Sequence, residues 1–98
     1  MAWYRISYVP SIIDDLRRTD QSMAQRLLDK TKWLASNVAN LRHEPLHPEL
    51  PGLVQYAAGD WRILYSIDHE EHVVHVHRIA IRRELYQSPP GKTNREPA

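Results

Sequence analysis

The sequence predicts an α+β fold, with helices packed on one face of a largely antiparallel sheet. Three observations carry this. A short alternating segment opens the chain, two segments of helical period follow, and three segments of period two close it. Helices placed ahead of an antiparallel meander must bury their apolar stripes against one face of it. Ninety-eight residues hold one such domain and no second.

Taken in order, Trp3–Val9 alternates and stops at Pro10, which reads as a strand. Ser11 is placed to cap a short helix over Ile12–Arg18, with Asp14 and Asp15 in the first turn, where the helix dipole favours acid. Ile12, Ile13 and Leu16 form its apolar stripe. A longer helix runs from about Gln21 to Asn37, with Met23, Leu27, Leu28, Thr31, Leu34 and Ala35 at helical spacing. Val38–Gly52 reads as a loop carrying Pro45, Pro48, Pro51, His43 and His47. The period then changes to two. Leu53–Ala57 and Trp61–Asp68 are strands joined by an Ala58-Gly59-Asp60 turn. His69–Glu71 is a polar turn, His72–Arg82 a third strand and Arg83–Tyr86 a short closing segment. The folded domain is therefore expected over residues 1–87. Residues 88–98, with Pro89, Pro90, Gly91 and Pro97, read as a disordered tail.

With no Cys there is neither a disulfide framework nor thiolate chemistry. The first nine residues lack the apolar run of a signal peptide, and no later segment is long enough to span a membrane. A cytoplasmic location without a membrane partner is the expectation. A net charge of +1 does not by itself point to nucleic acid. The choice of cation says more: ten Arg stand against three Lys, and the planar guanidinium matches two phosphate oxygens at once.

Alternation sorts the strand residues by face. Trp61, Ile63, Tyr65 and Ile67 face the helices; Arg62, Leu64, Ser66 and Asp68 face away. In the last strand the same rule puts Val73, His75, His77, Ile79 and Ile81 on the core side, and Val74, Val76, Arg78, Ala80 and Arg82 on the open side. A three-residue turn would pair Ile67 with Val73 and set Arg62 opposite Arg78. Like charges so placed repel. A bound phosphate would relieve the repulsion; ion pairs with Asp60 or Glu84 would do so equally. His75 and His77 read as buried histidines. No spacing of Cys, His and carboxylates suggests a metal, and no cofactor motif is present. Trp33 either packs on the sheet or offers an apolar patch to a partner.

The run from Gly52 through Gly59-Asp60-Trp61-Arg62 to Tyr65-Ser66-Ile67-Asp68 resembles the central strands of RelE/ParE-type toxins. Val73–Tyr86, with Arg82 four residues before Tyr86, resembles the family's last strand and its ending. The resemblance spans about Trp3 to Tyr86. It implies a toxin of a type II toxin–antitoxin system that cuts mRNA at the ribosome without a metal. It also implies a cognate antitoxin as partner, and operator DNA reached only through that antitoxin. On this likeness Arg62 holds phosphate, Arg82 assists the leaving group and Tyr86 positions a base. Arg78, Arg83, Gln55, His43 and His47 are the further candidates for RNA or phosphate contact. The sequence departs from the family where Lys or Arg is common: it has Gln55, Ala57 and Ile81. Three readings of this stand open. Another residue supplies the chemistry, with His43 or His47 the candidates; the site is silent; or the chain is of the ParE kind, directed at DNA gyrase.

Overall fold

The computed structural model describes residues 3–50 and 52–87. Strand β1 (Arg5–Tyr8) leads into α1 (Ile12–Leu16) and α2 (Gln21–Ser36). A single 3-10 turn at Val38–Asn40 and the two-residue strand β2 (Glu44–Pro45) follow. Then come β3 (Val54–Ala58), β4 (Trp61–Asp68), β5 (Val73–Ile81) and α3 (Arg82–Gln87). The expected order holds, with two additions. The proline-rich loop supplies β2, and β1 joins the sheet beside β5. The five strands lie in the order β1-β5-β4-β3-β2, with β1 parallel to β5 and the other pairs antiparallel. A parallel neighbour needs a long crossover, and α1 with α2 provides it.

Several local expectations are corrected. Ser11 does not cap α1: its backbone is already helical and its side chain makes no capping bond. Asp20 caps α2 instead, accepting the Met23 amide at 2.7 Å. α1 ends at Leu16, and Ile13, placed in its buried stripe, is exposed. The β3–β4 connection is a two-residue turn in which Gly59 takes φ +64°, a left-handed value that glycine adopts without steric cost. The last strand ends at Ile81, so Arg82 begins α3. The expected tail over 88–98 lies outside the described residues.

The main core fills the space between the helices and one sheet face. Ile12 of α1 and Leu27, Leu34 and Ala35 of α2 meet Val54, Ile63, Tyr65, Val74, Val76 and Ile79. The other, open face carries a smaller cluster of Leu64 and Ala80 beneath Leu46 and Leu53.

The expected register of β4 with β5 is wrong, for a physical reason. Ile67 pairs with Val74 and Tyr65 with Val76, whereas Leu64 pairs with Arg78 and Ile63 with Ile79. One residue, His77, is extra on β5. This bulge switches the alternation, so that Val74, Val76 and Ile79 all face the core. His75, His77 and Arg78 then fall on the open side. Arg62 lies opposite Ala80, not Arg78.

Just past the bulge, β1 has ended, and the outward N–H of Ile79 needs an acceptor. Asp15 of α1 provides it: one carboxylate oxygen accepts from Ile79 N at 2.9 Å. The other lies 3.4 Å from an Arg78 nitrogen. Both acid and amide are buried. Replacing Asp15 by Ala strands a buried donor and weakens the anchoring of Arg78. Asp15→Ala is expected to lower the unfolding free energy by about 2–4 kcal/mol, and Asp15→Asn, which keeps an acceptor, by less. Urea midpoints of the two variants against the parent chain check this.

Candidate functional site

Arginines gather at the α3 end of the sheet, Arg62 on the open face and Arg82 and Arg83 at the start of α3. Arg62 enters β4 directly after the turn, and its Nη1 donates to the Gly59 carbonyl at 2.6 Å and the Trp61 carbonyl at 2.9 Å. These bonds hold the guanidinium at the mouth of the hairpin. The Arg82 amide donates to the Asp60 carbonyl at 2.8 Å, which ties the start of α3 to the same turn. Arg82 and Arg83 line a shallow cleft of about 520 Å3 with Asp60, Trp61 and Ile81. Local sequence thus brings Arg62, Arg82 and Arg83 to one end of the sheet: a tight turn starts β4, and the end of β5 returns to it.

On β3, Gln55 pairs with Leu64 and Ala57 with Arg62, so both share the open face with the arginines. Neither can take up a proton near neutral pH. Arg78 also lies on this face, but its charge is already met by Asp15 rather than by Asp60 or Glu84. Glu84 pairs instead with Arg18, at 3.7 Å between exposed groups. Tyr86 falls within α3, and its side chain lies outside the described residues.

His43 is not brought to the arginines. It stands against the core-facing Tyr65, with Nδ1 2.7 Å from the Tyr65 hydroxyl and Nε2 2.9 Å from the Val38 carbonyl. A carbonyl only accepts, so Nε2 carries the proton; in the neutral ring Nδ1 then accepts from the tyrosine. Burial, with a smaller contribution from Tyr56, pushes the Tyr65 hydroxyl up to about 12, which keeps it a donor. The pair anchors the proline-rich loop. His47 lies in the same loop, and its Nδ1 accepts from the Glu49 amide at 3.0 Å.

His75 and His77 were expected in the core, and the bulge puts them outside it. His77 Nε2 lies 2.9 Å from the Ser66 hydroxyl across the sheet. Burial, and then the charge of His75, lowers the His77 pKa below its ordinary value. The sequence held a signal for this. Val74 and Val76 are in phase with each other, as are Ile79 and Ile81, but the two sets are one residue out of step. Asp15 had no such signal, because an acid in a first turn is ordinary. Among the described residues, no group of three or more His, Cys, Asp or Glu is placed to hold a metal ion. Nor is any helix among them long and apolar enough to cross a membrane.

The fold is a mixed five-stranded sheet with two helices packed on one face and Arg62 at the hairpin end of the other. The family model described as the ParE toxin of the type II toxin–antitoxin system parDE matches residues 6–86. The chain belongs to this RelE/ParE family of type II toxins. It is 28% identical over 87 residues to Toxin RelE of Mycobacterium tuberculosis, covering 89% of this chain and 90% of that protein. The crystal structure of the toxin–antitoxin complex RelBE2 from Mycobacterium tuberculosis contains a chain with a TM-score of 0.74 at 24% identity, covering 84% of this chain and 94% of that one. The RelB–RelE antitoxin–toxin complex from Methanococcus jannaschii contains one with a TM-score of 0.64 at 15% identity, covering 86% and 99%.

The lowered His77 pKa has a consequence for stability. A group that binds protons less readily when folded contributes stability above its unfolded pKa of about 6.5, and loses it as pH falls through the folded value. Unfolding midpoints are expected to drop below about pH 6.5. His77→Gln removes that part of the acid sensitivity. Thermal melts of both proteins between neutral and mildly acidic pH check the difference.

Proposed function

We propose that this chain is an mRNA endoribonuclease of the RelE kind, acting in the cytoplasm on ribosome-bound message and neutralised by a cognate antitoxin. The observation that carries the reading is that the Arg62 side chain and the Arg82 backbone amide both bond to carbonyls of the Gly59-Asp60 turn, which brings the two residues to one end of the sheet. In RNA cleavage of this type the ribose 2′-oxygen attacks the adjacent phosphorus and the bond to the 5′-oxygen breaks. The 2′-hydroxyl proton must leave, and the departing 5′-oxygen must gain one. Negative charge builds on the phosphoryl oxygens between these events. In this proposal Arg62 holds those oxygens through its remaining N–H donors, since the bonds from Nη1 to the Gly59 and Trp61 carbonyls orient the guanidinium before substrate arrives. Arg82, with Arg83 beside it, serves the leaving oxygen and the charge of the transition state. Tyr86 stacks on a splayed base, a common way of gripping single-stranded RNA. No metal or cofactor enters this scheme.

The antitoxin belongs to the same proposal. RelE-type toxins of similar fold occur in complexes with RelB antitoxins. A segment laid on the open face would cover the arginines and stop cleavage, and operator DNA would be reached only through such a complex.

One observation favours a second reading. The β3 row of the open face offers Gln55 and Ala57, neither of which can take up a proton near neutral pH. A toxin without RNA chemistry, directed at DNA gyrase as the ParE name implies, or a silent partner of an antitoxin, would have no use for one there.

Induction of the chain in a bacterial host without its antitoxin separates these readings. Mapping mRNA 5′ ends should reveal discrete cuts within translated codons. Arg82→Ala is expected to reduce them by about a hundredfold, the scale of losing a transition-state donor, with Arg62→Ala also strongly impaired. Arrest with intact mRNA and damaged DNA would establish the gyrase reading. No arrest would establish a silent fold.

A further inference from the structure

The bulge in β5 does more than correct a register. Without it, His75 and His77 would lie with Ile79 and Ile81 against the helices. With it, both imidazoles stand on the open face, the same face that carries Arg62. Bulges re-aim side chains in this way beside functional sites. His75 lies opposite Ser66, and His77 Nε2 is 2.9 Å from the same hydroxyl. Arg78 follows directly and sits opposite Leu64, one diagonal step from Arg62, or about 7–8 Å along the sheet.

The charges around this group are committed in a particular way. From β1, Arg5 and Ser7 share the face, level with Val73 and His75. From β4, Asp68 faces the same way, but its carboxylate accepts the amides of Glu70 and Glu71. From α1, Asp15 is occupied by Ile79 N and Arg78. From β3, Gln55 is uncharged. The Asp15 carboxylate is therefore already paired with a cation, while Asp68, held by two amides that leave its charge in place, lies on the same face.

We propose that His77 and His75, with Ser66, form a second anion subsite on the open face, which takes a backbone phosphate of single-stranded RNA once an imidazole is protonated. This rests on the RNA-cutting reading above and adds to it a position for RNA along the sheet, away from the Arg62 end. With Nε2 bare, the Ser66 hydroxyl donates to it. Protonation reverses that bond: Nε2–H donates to the serine oxygen, and the hydroxyl hydrogen turns free to meet an anion. One proton thus supplies both a charge and a second donor. Burial and the like charge of His75 oppose protonation in the free protein, and a phosphate between them removes the opposition. Binding of RNA and uptake of a proton then favour each other.

The test measures affinity of the full chain for a short 2′-O-methyl RNA, which lacks the attacking hydroxyl, from about pH 7.5 to about pH 5.5. Uptake of one proton limits the gain to tenfold per pH unit, and a total gain of about fivefold or more is expected. His77→Gln keeps a partner for Ser66 but cannot be protonated, and its profile should be nearly flat. His77→Arg should bind tightly and flatly throughout. In the parent chain, the His77 imidazole followed by NMR should titrate at higher pH with RNA present than without. RNA binding with no pH slope, or a slope unchanged in His77→Gln, overturns the subsite and leaves the RNA reading intact. No RNA binding at any pH overturns both.

Discussion

The bond between the buried Asp15 carboxylate and the Ile79 amide is the constraint on which the two faces of the sheet depend. β1 covers β5 only as far as Val76, and beyond that point the outer edge of β5 would bury an unsatisfied donor. α1 is short, but it delivers the acceptor to the position where it is needed. The bulge at His77 sits immediately before this bond. It resets the alternation so that Ile79 and Ile81 return to the helix side, while Arg78 reaches back to the same carboxylate. One acid therefore closes the edge, fixes the bulge and neutralises a cation that would otherwise stand free on the open face.

This arrangement gives the face a polarity along its strands. Near the Gly59-Asp60 turn lie Arg62 and the start of α3, whose guanidinium groups carry permanent charge. Beyond the buried pair Leu64 and Ala80 lie Ser66 and His77, an imidazole whose charge depends on protons. Permanent cations suit the place where phosphoryl charge grows during a reaction. Titratable ones suit a place where grip must be adjustable.

Much of this was legible in the sequence because burial imposes period. The α2 stripe through Leu27, Thr31, Leu34 and Ala35 and the alternation of Trp61, Ile63, Tyr65 and Ile67 both reappear in the core or packed against it. The placing of Gln55 and Ala57 beside Arg62 followed from the same rule. What failed was the phase of β5 ahead of the bulge: Val73 to His77 were assigned to the wrong faces, whereas Arg78 to Ile81 beyond it fall on the faces expected, because one extra residue separates the two phases. The repulsion expected between Arg62 and Arg78 vanished with it. The parallel partnership of β1 and the role of Asp15 were hidden because both depend on contacts more than sixty residues apart in the chain. His43 was drawn to the site by its residue type. The structure instead gives both of its nitrogens to the core and the backbone.

The claim that the open face is the working surface is tested most directly by mapping amide chemical shifts as a 2′-O-methyl RNA is added to the full chain. Changes are expected at Gln55, Arg62, His77 and the first turn of α3, with the outward side of α2 unmoved. Changes confined to the groove that Met23, Arg26 and Lys30 form with Asp60 and Trp61, on the helix side of the hairpin, would contradict it.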